Sequence, residues 1–271
     1  MKNALRFLLL ISAFAATATA APQLGIQSWT CRNMSFEETV LFAEKHGITQ
    51  IEFYRAHLDP NGTEAETARK LAFLKEHGVT AYSIGVSGTS LNKEENRKLF
   101  EFAQRCGIKV IVVEPGDPLI WDNLEELVRE YDIKLAVHNH GTGTTYGNPS
   151  VVKHILAERD PRIGVCLDIG WVTAAGFDAA TVLKNYGDRV FDMHLKDKRL
   201  DQEERPGRPM GTHIGLGNSN YVGVFEALRA SDWSGVMALE TDNPDFAADP
   251  TEFVTRGKAY FESFFPPATK N

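Results

Sequence analysis

The chain has 271 residues, 43% hydrophobic and 24% charged, with a formal net charge of −7 and a pI near 5.7. That is enough to bury a sizeable core without staples, and it suits one large domain or two small ones. The acidic balance argues against nucleic acid, which is usually bound through a basic surface, and no Lys/Arg stripe offsets it.

The first twenty residues place Lys2 and Arg6 before the apolar stretch Phe7 to Ala16 and end in Ala18-Thr19-Ala20. A basic start, a short apolar core and a small-residue site predict a secretory signal peptide cut after Ala20. Residues 21–271 are then an exported domain, periplasmic or secreted. The rival is an uncleaved membrane anchor, but this apolar core is shorter than the ~20 residues a spanning helix needs. No later stretch is apolar enough to span a membrane.

From residue 21 one theme repeats: a short apolar run, a polar link, then an amphipathic stretch. The runs are LGIQSW (24–29), TQIEFY (49–54), TAYSIGVSG (80–88), KVIVVEPG (109–116), KLAVHNHG (134–141), IGVCLDIG (163–170), VFDMHLKD (190–197) and GVMALETD (235–242). Short runs, apolar on both faces and rich in Val and Ile, suit parallel strands covered by helices. Between the first two, Ser35 predicts an N-cap, Glu38 its capping-box partner and Gly47 the stop. Residues 92–107, 122–132 and 221–232 carry helical spacing too. About eight alternations predict a single-domain (β/α)8 TIM barrel. The rival is an open doubly wound sheet, against which stands the lack of a Gly-rich phosphate loop after the first strand. Residues 198–220, rich in Gly, Pro and charge, read as a long loop on the active-site face. Cys31, Cys106 and Cys166 show no disulfide or zinc spacing and read as structural. His46, His57, His77 and His154 fall on helices or loops and read as surface residues, and Asn33 and Asn61 head glycosylation-type triplets.

A barrel places its chemistry at the C-terminal ends of its strands. Those ends supply Trp29, Glu52, Tyr54, Glu114, His138, His140, Asp168, His194, Lys196 and Glu240. Two carboxylates and two imidazoles, in His138, Asp168, His194 and Glu240, suit one divalent cation such as Mn²⁺, Co²⁺, Zn²⁺ or Ni²⁺ better than Mg²⁺ or Ca²⁺. The bland alternatives are a hydrogen-bonding pocket for His138, a turn cap for Glu114 and a plain ion pair for Lys196.

The ordered set VHNHG, CLDIGW, MHLKD, HIGLGNSNY and ALETD resembles the xylose isomerase-like TIM-barrel superfamily of sugar and sugar-phosphate isomerases and epimerases. The likeness covers essentially the whole chain after residue 20. It implies metal ligation by Asp168, His194 and Glu240, with Glu240 also trading protons with a sugar. Where those isomerases have a glutamate this chain has His138, which can ligate a metal but cannot easily act as the second carboxylate of a two-glutamate shuttle.

The expected chemistry is proton abstraction beside a metal-bound carbonyl or hydroxyl, ending in isomerisation or epimerisation. The alternative is a lyase or hydratase acting on a 3-keto-glycoside. A metal-dependent endonuclease and a non-catalytic sugar-binding barrel remain as further rivals. Glu114, His140, Lys196 and Glu240 are the candidate acid/base groups. For a carbohydrate substrate, Trp29, Tyr54 and Trp171 offer aromatic faces, Glu52 lines the mouth and His213 reaches in from the Gly-rich loop. No membrane contact is expected after cleavage, and homo-oligomer formation stays open.

Overall fold

The computed structural model describes residues 21–205 and 208–267, so the expected signal peptide lies outside the described residues. Strand and helix alternate from the start: β1 (Gln23–Gln27), α1 (Phe36–Lys45), β2 (Gln50–Phe53), α2 (Glu64–Glu76), β3 (Thr80–Ser87), α3 (Lys93–Cys106), β4 (Val110–Val113) and α4 (Trp121–Tyr131). The second half runs β5 (Lys134–His138), α5 (Pro149–Ala157), β6 (Ile163–Asp168), α6 (Ile169–Ala174), α7 (Ala179–Tyr186) and β7 (Val190–Leu195). A hairpin of β8 (Asp197–Arg205) and β9 (Arg208–Thr212) follows, then α8 (Tyr221–Arg229), β10 (Val236–Leu239), α9 (Pro244–Ala248) and α10 (Thr251–Phe264).

The strands close in the order β1-β10-β7-β6-β5-β4-β3-β2, every pair parallel, which is a single (β/α)8 barrel. Closure excludes the open sheet. All eight predicted runs become barrel strands because both of their faces are covered: β4, β6 and β10 are buried at every position. Most of the core lies between strands and helices, where Ile26, Ile111, Leu135 and Leu239 meet Val40, Phe100, Leu127 and Phe253. Truncating such a side chain to alanine costs about 2–5 kcal/mol. A smaller cluster of Val110, Val112, Ala136 and Cys166 is separate from it.

The helices start where the sequence says. Ser35 Oγ accepts from Glu38 N at 3.2 Å, and Glu38 Oε2 accepts from Ser35 N at 2.7 Å, closing the capping box worth about 1 kcal/mol. Asn92 caps α3 by a single bond, its Oδ1 accepting from Glu94 N at 3.1 Å, and Gly107 ends the helix at φ +72°, where a side chain would be strained.

Two expectations are corrected. Residues 198–220 do not form one loop, because residues 197–205 and 208–212 pair antiparallel, Asp197 with Thr212 and Lys198 with Gly211. The charge that suggested a loop is matched locally, Arg199 to Asp201 at 2.7 Å and Lys198 to Asp242 at 3.1 Å. His57 is not a surface residue: it is 3% exposed and bonded through Nε2 to Met34 O at 2.9 Å. The three cysteines are free, and Cys31 and Cys166 are buried, as structural residues should be. Among the described residues no helix is long and apolar enough to cross a membrane.

Candidate active site and metal centre

The last residues of β5 and β6, the next-to-last of β7 and the residue after β10 bring His138, Asp168, His194 and Glu240 together. One ligand atom from each lies within 4.8 Å of all the others. The four side chains are 1%, 0%, 0% and 7% exposed. His194 Nδ1 lies 2.8 Å from Glu240 Oε2 and 3.7 Å from Asp168 Oδ2, and His138 Nε2 lies 3.4 Å from Asp168 Oδ2. Around a tetrahedral ion with ligand bonds near 2.1 Å, neighbouring donors stand about 3.4 Å apart. Apart from one another and the Lys196 ammonium, these four atoms have no partner. Buried polar atoms so left are rare and costly, and four converging in one place fit a divalent ion. Two nitrogens and two carboxylate oxygens suit a transition metal or zinc.

Neighbours set the orientation of each donor. His194 gives its other nitrogen, Nε2, to Glu52 Oε2 at 2.9 Å, which leaves Nδ1 with a free lone pair when the ring is neutral. Glu52 is fully buried, and its Oε1 takes Gln27 Nε2 at 3.2 Å. It supports the centre from beneath instead of lining the mouth as expected. Glu52 also groups with Cys166, Asp192 and His194. Burial and the charge of Glu52 hold the Asp192 carboxyl well above the usual range, so it is protonated and carries no free charge for a second ion.

Asn139, between the two histidines of KLAVHNHG, clamps the neighbouring strand. Its Nδ2 donates to Asp168 O at 3.1 Å and its Oδ1 accepts from Asp168 N at 3.0 Å. Asp168 Oδ1 accepts from Trp171 N at 2.8 Å and caps α6, leaving Oδ2 for the centre. Gly170 permits the close approach of α6 to the end of β7, since a Cβ there would stand 2.7 Å from Lys196 O. The resemblance motif H-x-K-D acquires a role for its aspartate too. Asp197 accepts from the N–H groups of Gly215, Gly217 and Ser219 at 2.9, 2.9 and 3.1 Å and ties the Gly-x-Gly loop to the hairpin.

Lys196 is buried, its Nζ 3.1, 3.0 and 3.2 Å from carboxylate oxygens of Asp168, Glu240 and Asp242. Burial disfavours its charge, but the three carboxylates outweigh that and hold the amine protonated well above its usual range. Burial would raise Asp168, yet Lys196 and the two histidines hold it ionised well below the usual carboxylate range. Burial keeps the His138 imidazole neutral, the form that binds metal.

Beside this set, His140 Nδ1 bonds Glu114 Oε2 at 2.6 Å, and the His140 ring stands edge-on to His138 with centroids 4.6 Å apart. Burial pushes Glu114 upward, but the hydrogen bond and charge of His140 outweigh it, so its carboxyl titrates below the ordinary range. A histidine oriented by a carboxylate is the arrangement of a general base. His140 opens into a cavity of about 570 Å³, on whose wall His138, Glu240, Gln27, Trp29 and Tyr54 also stand. Trp29 and Tyr54 meet edge to face at 5.5 Å, and Trp29 is 38% exposed.

The remaining two expected contacts lie elsewhere. Trp171 is 5% exposed, with Lys198 Nζ 4.1 Å and Arg208 Cζ 5.3 Å from its ring centre, so its face is covered by cations and is not on the cavity wall. His213 packs on Phe246 at 4.5 Å between ring centres and faces Glu252, away from the cavity. The sequence reading missed Arg55, Arg208 and Asp242 on the cavity wall. Alternation in ALETD puts Asp242 on the face of Glu240, a signal that was there to use. Arg208 carried none, because its place depends on the hairpin.

Among solved structures, the probable 3-DHS dehydratase AsbF of Bacillus anthracis superposes with a TM-score of 0.72 at 16% identity, covering 88% of this chain and 98% of that one. The IOLI protein, solved with a zinc atom, superposes at 0.69 with 19% identity, covering 89% and 97%. At such identities these likenesses speak for the fold. Among curated relatives, inosose dehydratase of Geobacillus thermodenitrificans is 25% identical over 202 residues, 69% of this chain and 66% of the relative. Inosose dehydratase of Clostridium perfringens is 24% identical over 241 residues, 73% and 81%. That of Lacticaseibacillus casei is 23% identical over 154 residues, and the match spans only 51% of its length. Residues 40–263 match the family described as Xylose isomerase-like TIM barrel, which is most of the chain and nearly all of the barrel. The chain therefore belongs to the xylose isomerase-like TIM barrel family.

Proposed function

We propose that this protein is a divalent-metal-dependent lyase of the dehydratase type, acting on a carbohydrate that carries a carbonyl group. The observation that carries this reading is the convergence of two imidazoles and two carboxylates, from His138, Asp168, His194 and Glu240, next to a carboxylate-oriented histidine at one cavity. The named relatives are dehydratases, which favours elimination over the isomerisation expected from sequence. The histidine at position 138 favours it too, since a symmetric two-carboxylate shuttle lacks its second glutamate there.

A divalent ion held by His138, Asp168, His194 and Glu240 would polarise the substrate carbonyl and acidify the adjacent C–H. His140 takes that proton on Nε2, while Glu114 holds Nδ1 and stabilises the charged ring. His140 then passes that proton from Nε2 to the departing oxygen, while Lys196, kept protonated by its three carboxylates, balances their charge behind the wall. One proton leaves carbon, one reaches the leaving group, and a carbon–carbon double bond remains. Trp29 and Tyr54 offer the apolar surface on which a sugar ring sits.

The test uses protein from residue 21, stripped of metal, reloaded with Mn²⁺, Co²⁺, Zn²⁺ or Ni²⁺, and incubated in D₂O with inosose or 3-keto-glycosides under NMR. Loss of water or of an aglycone with an unsaturated product is expected. Deuterium in an intact, isomerised sugar would return the reading to an isomerase. Absence of exchange with every metal and substrate would overturn proton abstraction.

A further inference from the structure

Arginines in this protein are almost all engaged. Arg69, Arg97, Arg129, Arg159, Arg162, Arg199 and Arg256 hold carboxylates at 3.0 Å or less, and Arg105 faces Glu64 at 3.9 Å. Arg189 and Arg229 donate to main-chain carbonyls. Arg32, on the cavity wall, donates to the carbonyls of Trp29, Thr241, Asp242 and Asn243. Among arginines whose side chains are described, Arg55 and Arg208 alone have neither a carboxylate nor a carbonyl acceptor, and both line the cavity that holds His138, His140 and Glu240.

The carboxylates of the mouth are already matched: Asp242 Oδ2 takes Lys196 and Lys198 at 3.2 and 3.1 Å, and Glu240 Oε2 takes Lys196 at 3.0 Å. The two exposed arginines border the cavity without a carboxylate partner, Arg55 also bordering a neighbouring groove with Asp59 and Glu95. They come from two separate elements, Arg55 from the segment after β2 and Arg208 from the start of β9. Arg208 is held in place over Trp171, its Cζ 5.3 Å from the ring centre. A guanidinium presents a planar fork of donors that matches a carboxylate edge to edge.

We infer that Arg55 and Arg208 form a subsite for an oxyanion, and that the substrate is an acidic carbohydrate carrying a carboxylate. The inference rests on the carbohydrate reading above and narrows it. Phosphate shares the chemistry, but the export proposed from the first twenty residues leaves few sugar phosphates within reach, so carboxylate is the assignment.

The experiment compares D-glucose, D-glucuronate and D-glucose 6-phosphate as calorimetric ligands of the metal-loaded protein at low salt, using the wild type, R55Q, R208Q and the double variant. Bound metal is measured in each variant to show that the barrel is intact. We expect glucuronate to bind on the order of tenfold tighter than glucose, each single variant to lose roughly two- to fivefold of that ratio, and the double variant to lose it. Added salt lowers the ratio in the wild type. A glucuronate advantage that survives in the double variant means direct ligation of the metal, and overturns the subsite. Equal binding of glucose and glucuronate overturns it while leaving the lyase reading to its own D₂O test. A larger advantage for glucose 6-phosphate overturns the carboxylate assignment. If none of the three binds, the subsite is overturned, and only turnover of a keto-sugar in D₂O would then keep the lyase reading.

Discussion

The two halves of the barrel mouth do different work. The half built from β5, β6, β7 and β10 supplies all four members of the metal set, each 7% exposed or less. The half built from β1 to β4 supplies Gln27, Trp29, Tyr54, Arg55, Gly85 and Val86 to the cavity wall, several of them open to solvent. An ion site must be dry and tightly oriented, because its ligands are fixed by second-layer hydrogen bonds and gain strength from a low dielectric. A wall that admits substrate must stay accessible. Glu52 is the exception that joins the halves, since it belongs to β2 but reaches His194.

Four substitutions would break or sharpen this contrast. D168N in the second half has the largest effect: metal affinity falls by more than about 100-fold, and stability drops by about 1–3 kcal/mol because Lys196 keeps only Glu240 and Asp242 as partners. Metal titration and denaturant unfolding measure the two losses. H140Q lowers kcat by about 100-fold or more with bound metal unchanged, as removal of a general base should; equal loss of metal would make His140 a ligand instead. E52Q, in the first half, weakens metal binding by about 10- to 100-fold without touching the cavity wall, read by the same titration. If E52Q leaves metal affinity intact, the link between the halves is structural only. W29A has the smallest effect, raising KM about fivefold with kcat and metal content unchanged, for a loss of ~1 kcal/mol of uniform binding.

Much of the fold was legible in the chain because its signals are local. A strand buried on both faces has to be continuously apolar, and Ser35 with Glu38 close their box within one turn. The charged residue that ends such a run, as in KLAVHNHG or ALETD, stands out against it, so His138, Asp168, His194 and Glu240 could be named in advance. Where the sequence misled, the deciding contact was remote. His57 is buried by Met34, 23 positions away. Trp171 looked like a sugar platform, but its ring is covered by Lys198 and Arg208 from the hairpin.

The sequence by itself determined the strand–helix alternation and the polar residues that end the strands, because periodicity and the polar ends of apolar runs are properties of neighbouring residues. Only the tertiary structure decided that Glu52 holds His194, that Glu114 pairs with His140, and that Arg55 and Arg208 share one cavity. Those pairs are 142, 26 and 153 positions apart: the closed barrel joins the first, the pairing of β4 with β5 the second, and the hairpin the third.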